Sequence, residues 1–298
     1  MIHEKISIKM PGSEEYAAMY TYIPEYSESI GIEKRPMIVI CPGGGYDHTS
    51  DREAEPLALS FNSFGYCAAV VRYSTGPSQF PIALSELAFA VETIRENAEK
   101  WHIDADRIIV QGSSAGGHLA ACLGVFWNYR FLSRLVEEKL KSLGKTPESG
   151  SLSEMIKPDG LILDYPVISS GTFRHAGSSK NIAGSLVNAD DFIDEKGVPI
   201  DDFLSIENRV TKDMPPCFIW HTFEDNTVPV QNSLILADSL CRCGVNTELH
   251  IFPHGCHGLG LANALTSKPG GSEIVPEVAM WLPLVRNWLE RNYPLTLR

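Results

Sequence analysis

Residues 108–118 read IIVQGSSAGGH, and no other segment is as informative about the fold. An apolar run leads directly into a Gly-x-Ser-x-Gly motif, and a helical pattern follows. A serine on a sharp turn between a strand and a helix is typical of a nucleophile elbow, in which glycines let the chain pass close to itself. Ser114 is therefore the candidate nucleophile. Ser113 is in the wrong register, because no glycine stands two positions before it.

Short apolar runs recur along the chain, and each is followed by turn residues or by a helical pattern. Such runs are typical of strands buried on both faces of a largely parallel sheet. The clearest helical pattern runs from Ile82 to Trp101, where apolar residues recur at steps of three and four. The predicted strands are 37–41, 67–71, 108–110, 161–163, 217–220 and 248–252, and the other predicted helices are 118–126, 230–243 and 278–292.

This alternation predicts an α/β fold, with a mostly parallel central sheet of about eight strands and helices on both faces. Alternating apolar residues around Pro11-Gly12-Ser13 predict an antiparallel hairpin at the edge of the sheet. We expect a single domain over residues 1–298, because α/β folds often run this long. Residues 168–211 lack a strong periodicity, and a stretch of that length predicts a small cap insertion over the active site.

A glycine-rich loop, PGGGY at residues 42–46, follows the first of the parallel strands. Acyl transfer creates a tetrahedral oxyanion, which needs preorganised donors that glycines can bring close. In serine hydrolases of this layout one donor follows the nucleophile, and others come from the loop after the third strand. The candidate donors are the amides of Gly44, Gly45 and Ala115. A phosphate-binding loop is disfavoured, because neither Gly-x-x-x-x-Gly-Lys nor Gly-x-Gly-x-x-Gly occurs here.

Two late loops supply an acid and a base, in the chain order serine, acid, histidine that this layout requires. The predicted strand 217–220 is followed by HTFEDNTVP, and the predicted strand 248–252 is followed by PHGCHG. Asp225 is the predicted acid, and Glu224 is its rival. His257 is the predicted base, and His254 is its rival.

A metal site is the alternative use of the second loop, because His250, His254, Cys256 and His257 fall within eight positions. However, His250 lies inside a predicted strand and the other three lie beyond its end. No Cys-x-x-Cys or His-Glu-x-x-His pattern supports zinc. We therefore expect no metal and no other cofactor.

Together these motifs resemble the α/β-hydrolase superfamily. Within it they resemble the esterase and lipase group that includes hormone-sensitive-lipase-like enzymes and bacterial acetyl-xylan or feruloyl esterases. The resemblance runs from the glycine-rich loop near 42 to the histidine loop near 257, and Asp225-x-x-Val-Pro is similar to the acid loop of that group. Pro42 replaces the histidine of His-Gly-Gly-Gly, and Ser113 replaces the aspartate of Gly-Asp-Ser-Ala-Gly-Gly. Both departures favour the carbohydrate-esterase branch.

The resemblance implies hydrolysis of a carboxylic ester through an acyl-enzyme, with Ser114 as nucleophile, His257 as base and Asp225 as orienting acid. The expected substrates are small-molecule esters with short acyl groups, chiefly acetyl, and they include acetylated sugars. Two alternatives remain open. One is a serine peptidase of the same fold, and the other is a ligand-binding protein that has this fold but no activity.

Charge and composition exclude several other classes. The chain has 25 basic and 37 acidic residues, a formal net charge of −12, so binding to nucleic acid or to an anionic membrane surface is not expected. The seven cysteines are an odd number without framework spacing, which predicts reduced thiols. The opening residues lack an apolar signal region, and no apolar run approaches the ~20 residues of a membrane span, so we expect a cytoplasmic protein.

Overall fold

The computed structural model describes residues 1–146 and 152–298. Within these residues nine strands form one mixed sheet, with helices on both faces. The strands are β1 (Lys5–Ser7), β2 (Ala18–Tyr22), β3 (Ile32–Cys41), β4 (Cys67–Arg72), β5 (Ile103–Ser113), β6 (Gly160–Asp164), β7 (Cys217–Thr222), β8 (Thr247–Phe252) and β9 (Thr296–Leu297).

The strand order is β1-β2-β4-β3-β5-β6-β7-β8, and β9 pairs with the outer part of β3. The six strands from β4 to β8 along this order pair in parallel. The hairpin of β1 and β2 is antiparallel and adds to the edge at β4, which confirms the predicted N-terminal hairpin. The mostly parallel sheet therefore has the predicted architecture.

The helices of the described residues fill the connections between these strands. They are α1 (Glu55–Ser63), α2 (Ile82–Glu96), α3 (Ala115–Phe126), α4 (Arg130–Ser142), α5 (Leu152–Ile156), α6 (Ala176–Ala183), α7 (Ile200–Phe203), α8 (Gln231–Arg242), α9 (Pro276–Ala279) and α10 (Trp281–Asn292), with short 3₁₀ turns at Asp51–Glu53 and Ile206–Asn208.

The core has two layers, one on each face of the sheet, because successive side chains of a strand point to opposite faces. In β3, Met37 and Val39 pack with the apolar sides of α2, α3 and α4. Ile38 and Ile40 pack on the other face with α1 and α10, where Trp281 and its neighbours are fully buried. Both faces of the central strands are thus apolar, which explains their continuous apolar runs.

Three helix predictions were wrong in extent. The helix predicted for 82–101 ends at Glu96, and a series of turns follows in which Trp101 is buried without being helical. The helix predicted for 278–292 is divided at Met280 into α9 and α10, and Pro283 has no N–H to donate to the carbonyl four residues earlier. Helix α3 begins at Ala115, three residues before the predicted start, directly after the serine.

Helix α1 and strand β9 were not predicted. Pro56 occupies the first turn of α1, where its missing N–H costs no helical bond, and Leu57 and Phe61 bury the inner side of the helix. The polar stretch 129–153 contains α4 and the start of α5, while its residues 147–151 lie outside the described part of the chain. In residues 1–146 and 152–298 no helix is long and apolar enough to cross a membrane.

Candidate active site

Ser114 lies on the turn between β5 and α3, in a backbone conformation that side-chain-bearing residues rarely adopt. Its φ is 56° and its ψ is −118°. A Cβ atom on Gly112 would lie 2.1 Å from the Gly116 carbonyl oxygen, and one on Gly116 would lie 2.0 Å from the Cys41 carbonyl oxygen. Glycine is therefore required at both positions, as the motif predicted, and the serine stands at the carboxyl end of the sheet.

Ser114, His257 and Asp225 form one hydrogen-bonded chain. The Ser114 Oγ lies 2.7 Å from the His257 Nε2, and the His257 Nδ1 lies 2.6 Å from the Asp225 Oδ2. His257 follows β8 and Asp225 follows β7, so the parallel strands bring the two loops to the end where β5 delivers the serine. When Nδ1–H donates to the carboxylate, Nε2 is free to accept the serine proton.

The two rival residues pair with each other. The His254 Nδ1 lies 2.9 Å from the Glu224 Oε1, and the two side chains are 76% and 54% exposed. The structure therefore brings Asp225 and His257 to Ser114, and it places Glu224 and His254 together at the surface.

Asp225 is held in its ionised form. Its Oδ1 accepts hydrogen bonds from the N–H groups of Thr227 and Val228, each at 2.9 Å. The His221 Nε2 lies 3.3 Å from its Oδ2. Burial acts to raise the pKa of Asp225, but the hydrogen bonds from His221 and His257 outweigh it and hold that pKa well below its usual range. His221, which the sequence analysis did not select, is thus part of the support of this carboxylate.

The three candidate oxyanion donors lie around the elbow. Gly44 and Gly45 have φ values of 131° and 65°, and a Cβ on Gly44 would lie 2.2 Å from the His48 carbonyl oxygen. Among the described residues neither of these two glycine N–H groups donates to a backbone carbonyl. Ala115 is the first residue of α3, where N–H groups have no partner within the helix.

Two other residues hold the glycine-rich loop. The Gly43 N–H donates to the Glu53 Oε2 at 2.8 Å, and the Asn181 side-chain amide donates to the Gly45 carbonyl at 2.9 Å. Asn181 belongs to α6, inside the predicted cap insertion. The sequence carried no local signal for either residue, because each bond joins segments that are distant in the chain.

Ser114 opens into a polar cleft of about 460 Å³. Glycines and polar or charged side chains line it, and none of the described lining residues is an aliphatic residue, Phe, Tyr or Trp. The charged and hydrogen-bonding groups that line it beyond the serine and its two partners include Asp47, His48, Arg52, His175, Asn181 and Lys268.

His175 presents a hydrogen-bond donor at the wall of this cleft. Its Nδ1 accepts the Ser178 N–H at 3.2 Å and lies 2.8 Å from the Ser178 Oγ, so the proton of the neutral ring is on Nε2. Burial lowers the pKa of His175, and a proton on the nearby His257 would lower it further. The ring is therefore neutral at neutral pH, and its Nε2–H is left for a ligand in the cleft.

The histidines and the cysteine of the second loop do not converge. The His250 Nε2 lies 2.9 Å from the Glu248 Oε1, whereas His257 points to Ser114. Within residues 1–146 and 152–298 no three His, Cys, Asp or Glu side chains are grouped so as to hold a metal ion.

The chain matches one protein family and several known proteins. Residues 21–240 match the model of the BD-FAE family. The chain is 34% identical over 255 residues to endo-1,4-beta-xylanase B of Butyrivibrio fibrisolvens, a match that covers 83% of this chain and 36% of that protein. It is 26% identical over 248 residues to an acetylxylan esterase of Xylanibacter ruminicola, covering 82% and 44%. The chain thus spans less than half the length of these two curated relatives.

A solved structure matches over nearly the whole chain. It is the acetyl ester-xyloside bifunctional hydrolase from Caldicellulosiruptor lactoaceticus, with a TM-score of 0.77 and 32% identity, covering 98% of this chain and 97% of that one. The sheet, the elbow and these matches define a protein with the α/β-hydrolase fold. The chain belongs to the BD-FAE family.

Proposed function

We propose that this chain is a serine carboxylesterase that hydrolyses short-acyl esters, chiefly acetyl esters, of polyhydroxy alcohols such as sugars. The observation that carries the proposal is the polar cleft at Ser114. A long acyl chain gains about 0.8 kcal/mol for each CH₂ group that it buries against apolar surface. Among the described residues no aliphatic side chain and no Phe, Tyr or Trp lines this cleft, whereas its side chains offer many partners for hydroxyl groups.

The acylation step follows from the hydrogen-bonded chain. The Ser114 Oγ attacks the ester carbonyl carbon while its proton passes to the His257 Nε2. The carbonyl oxygen becomes an oxyanion, which accepts hydrogen bonds from the N–H groups of Gly44, Gly45 and Ala115. The C–O bond to the alcohol then breaks, and the alcohol leaves with the proton from His257, so that the acyl group remains on Ser114.

Deacylation repeats these steps with water. His257 takes a proton from a water molecule, whose oxygen attacks the acyl carbon, and the carboxylic acid leaves as Ser114 regains its proton. Asp225, ionised and buried, orients the imidazole and stabilises its cation in both steps. Protein groups and water account for every step, with no cofactor.

The names of two relatives support the substrate class, since one is an acetylxylan esterase and another is an acetyl ester-xyloside hydrolase. The neutral Nε2–H of His175 and the ammonium group of Lys268 are donors suited to sugar hydroxyl oxygens. We further propose that residues 168–211 are a small cap insertion within a single domain of residues 1–298. The bond from Asn181 to Gly45 supports this, because it ties that segment to the glycine-rich loop.

Initial rates with p-nitrophenyl acetate, butyrate and octanoate, together with acetate release from acetylated xylo-oligosaccharides, test the proposal. We expect the rate to fall as the acyl chain lengthens and acetate to be released from the oligosaccharide. A preference for octanoate, or hydrolysis of peptides and not of acetyl esters, would overturn the proposal.

A further inference from the structure

Glu53 is a buried carboxylate that the chemical steps do not use. It ends the 3₁₀ turn Asp51–Glu53 and is only 4% exposed. Each of its oxygens accepts a hydrogen bond from a different segment: Oε2 from the Gly43 N–H at 2.8 Å, and Oε1 from the Tyr165 hydroxyl at 2.7 Å. A buried carboxylate is costly unless such partners compensate it, so its presence beside Ser114 requires an explanation.

The first bond fixes the glycine-rich loop against the elbow. A Cβ atom on Gly43 would lie 2.7 Å from the Glu53 Oε2, 2.8 Å from the Ser113 carbonyl oxygen and 2.9 Å from the Ser114 Cβ. Gly43 is therefore packed between Glu53 and the elbow. Because Gly44 follows directly, the position of its N–H depends on where Glu53 holds Gly43.

The second bond reaches the histidine loop. The Tyr165 hydroxyl, besides donating to Glu53, accepts the Gly260 N–H at 2.9 Å. The Tyr165 ring packs edge-on against the His257 ring, with 5.1 Å between the ring centres. The segment that carries His257 is thus held from two sides by a tyrosine that Glu53 orients.

The turn that carries Glu53 is itself anchored on both sides. The Asp51 carboxylate pairs with Arg72 at 2.6 Å, and the Arg52 guanidinium donates to the Thr266 carbonyl at 2.5 Å and pairs with Glu273. These contacts make the turn a fixed support from which Glu53 can hold two loops at once.

We propose that Glu53 is a positioning residue for ester hydrolysis, which fixes the oxyanion loop and the histidine loop relative to Ser114. This proposal rests on the proposed function. A carboxylate is needed because both of its partners are donors, and it offers a separate acceptor oxygen to each of them. Glutamine would keep one acceptor oxygen but would turn an N–H group towards another donor.

Glu53→Gln is the test, and Glu55→Gln, which changes an exposed carboxylate two residues away, is the matched control. We expect Glu53→Gln to lower kcat by about 10- to 100-fold, the effect of a small displacement of catalytic groups, and to leave KM unchanged. Circular dichroism checks whether each variant is folded. A kcat equal to that of Glu55→Gln, or a loss confined to KM, would overturn the proposal.

Tyr165→Phe removes the hydroxyl that donates to Glu53 and keeps the bond between Gly43 and Glu53. This variant tests the proposal if Glu53→Gln does not fold. We expect a smaller loss of kcat in this variant. In the double variant we expect the fold-loss of kcat to be smaller than the product of the losses in the two single variants. Both substitutions act on the same hydrogen bond, the one between Tyr165 and Glu53, so their effects are not independent. An unchanged kcat in Tyr165→Phe, or fully independent effects, would contradict the part of the proposal that concerns the histidine loop.

A second readout separates this proposal from the proposed substrate. The rate at which a fluorophosphonate modifies Ser114 depends on the base and on the oxyanion donors, but not on the natural ester. We expect Glu53→Gln to slow this modification and Glu55→Gln to leave it unchanged. If the wild type is modified but hydrolyses no acetyl ester, the proposed substrate class fails, and a slower modification of Glu53→Gln still supports the role of Glu53. Equal rates of modification would overturn that role.

Discussion

The Asp225 Oδ2 lies 2.6 Å from the His257 Nδ1, while the adjacent acid, Glu224, lies 2.9 Å from His254 at the surface. Two neighbouring loops therefore contain two acid–histidine pairs, and only the buried pair reaches Ser114. The difference arises from the amides of Thr227 and Val228, which hold the Asp225 carboxylate inward.

Asp225→Asn is expected to reduce kcat by about 10⁴-fold, because an amide at this position no longer stabilises the tautomer and the cation that His257 needs. Glu224→Gln is the matched control, since it removes the charge of the surface pair alone. Initial rates with p-nitrophenyl acetate measure both. Equal losses in the two variants would contradict the assignment of Asp225.

The side chain of His175 is expected to discriminate between alcohol halves of the ester. His175→Ala should lower kcat/KM for an acetylated sugar by about 5- to 10-fold, the loss of one hydrogen bond, and should leave phenyl acetate unaffected. His254→Ala, which removes an exposed histidine that does not line the cleft, is the control. Equal losses with the two substrates would mean that His175 supports the reaction centre and does not select the alcohol.

Asp164 should make the stability of the fold depend on pH. Burial raises the pKa of Asp164 from 3.8 to about 8, against the hydrogen bonds of Trp220 and Gln111. The folded state therefore binds a proton that the unfolded chain releases near its normal pKa. The stabilisation that this bound proton gives the folded state is fully present below about pH 4, and it is lost as the pH rises through about 8.

Asp164→Asn has no such proton to lose. Between pH 6 and pH 9 we expect the free energy of unfolding to fall by on the order of 2 kcal/mol more in the wild type than in Asp164→Asn. Urea titrations of both proteins at the two pH values measure this difference. Parallel changes would show that Asp164 is ionised in the folded state at neutral pH.

The sequence was most informative where a backbone constraint dictates residue type. Positions 112 and 116 must be glycine, because backbone atoms there leave no room for a Cβ atom. The motif therefore predicts the elbow directly. The order of serine, acid and histidine located the remaining partners, because parallel strands deliver their carboxyl ends to one side of the sheet.

Contacts between distant segments could not be predicted in this way. Glu53 and Tyr165 are 112 positions apart, and Asn181 and Gly45 are 136 apart, so no local spacing relates them. Periodicity also misjudged the end of helix α2, since Trp101 is buried by the tertiary packing of a turn and not by helical structure. The supports of the site therefore depend on the fold, whereas the proposed reacting groups follow from local motifs.

The role of Ser114 as the nucleophile can be tested by mass spectrometry of the wild type, Ser114→Ala and Ser113→Ala after reaction with a fluorophosphonate, together with their rates on p-nitrophenyl acetate. Ser113→Ala is the matched control, because Ser113 is the adjacent buried serine and its hydroxyl contacts Gln111 and Asp164. We expect one adduct, on the peptide that contains Ser114, in the wild type and in Ser113→Ala. Ser114→Ala should form no adduct and should retain only the roughly 10³–10⁴-fold acceleration over water that binding and the oxyanion donors supply. An adduct on another residue, or hydrolysis by Ser114→Ala at the wild-type rate, would contradict the assignment of Ser114 as the nucleophile.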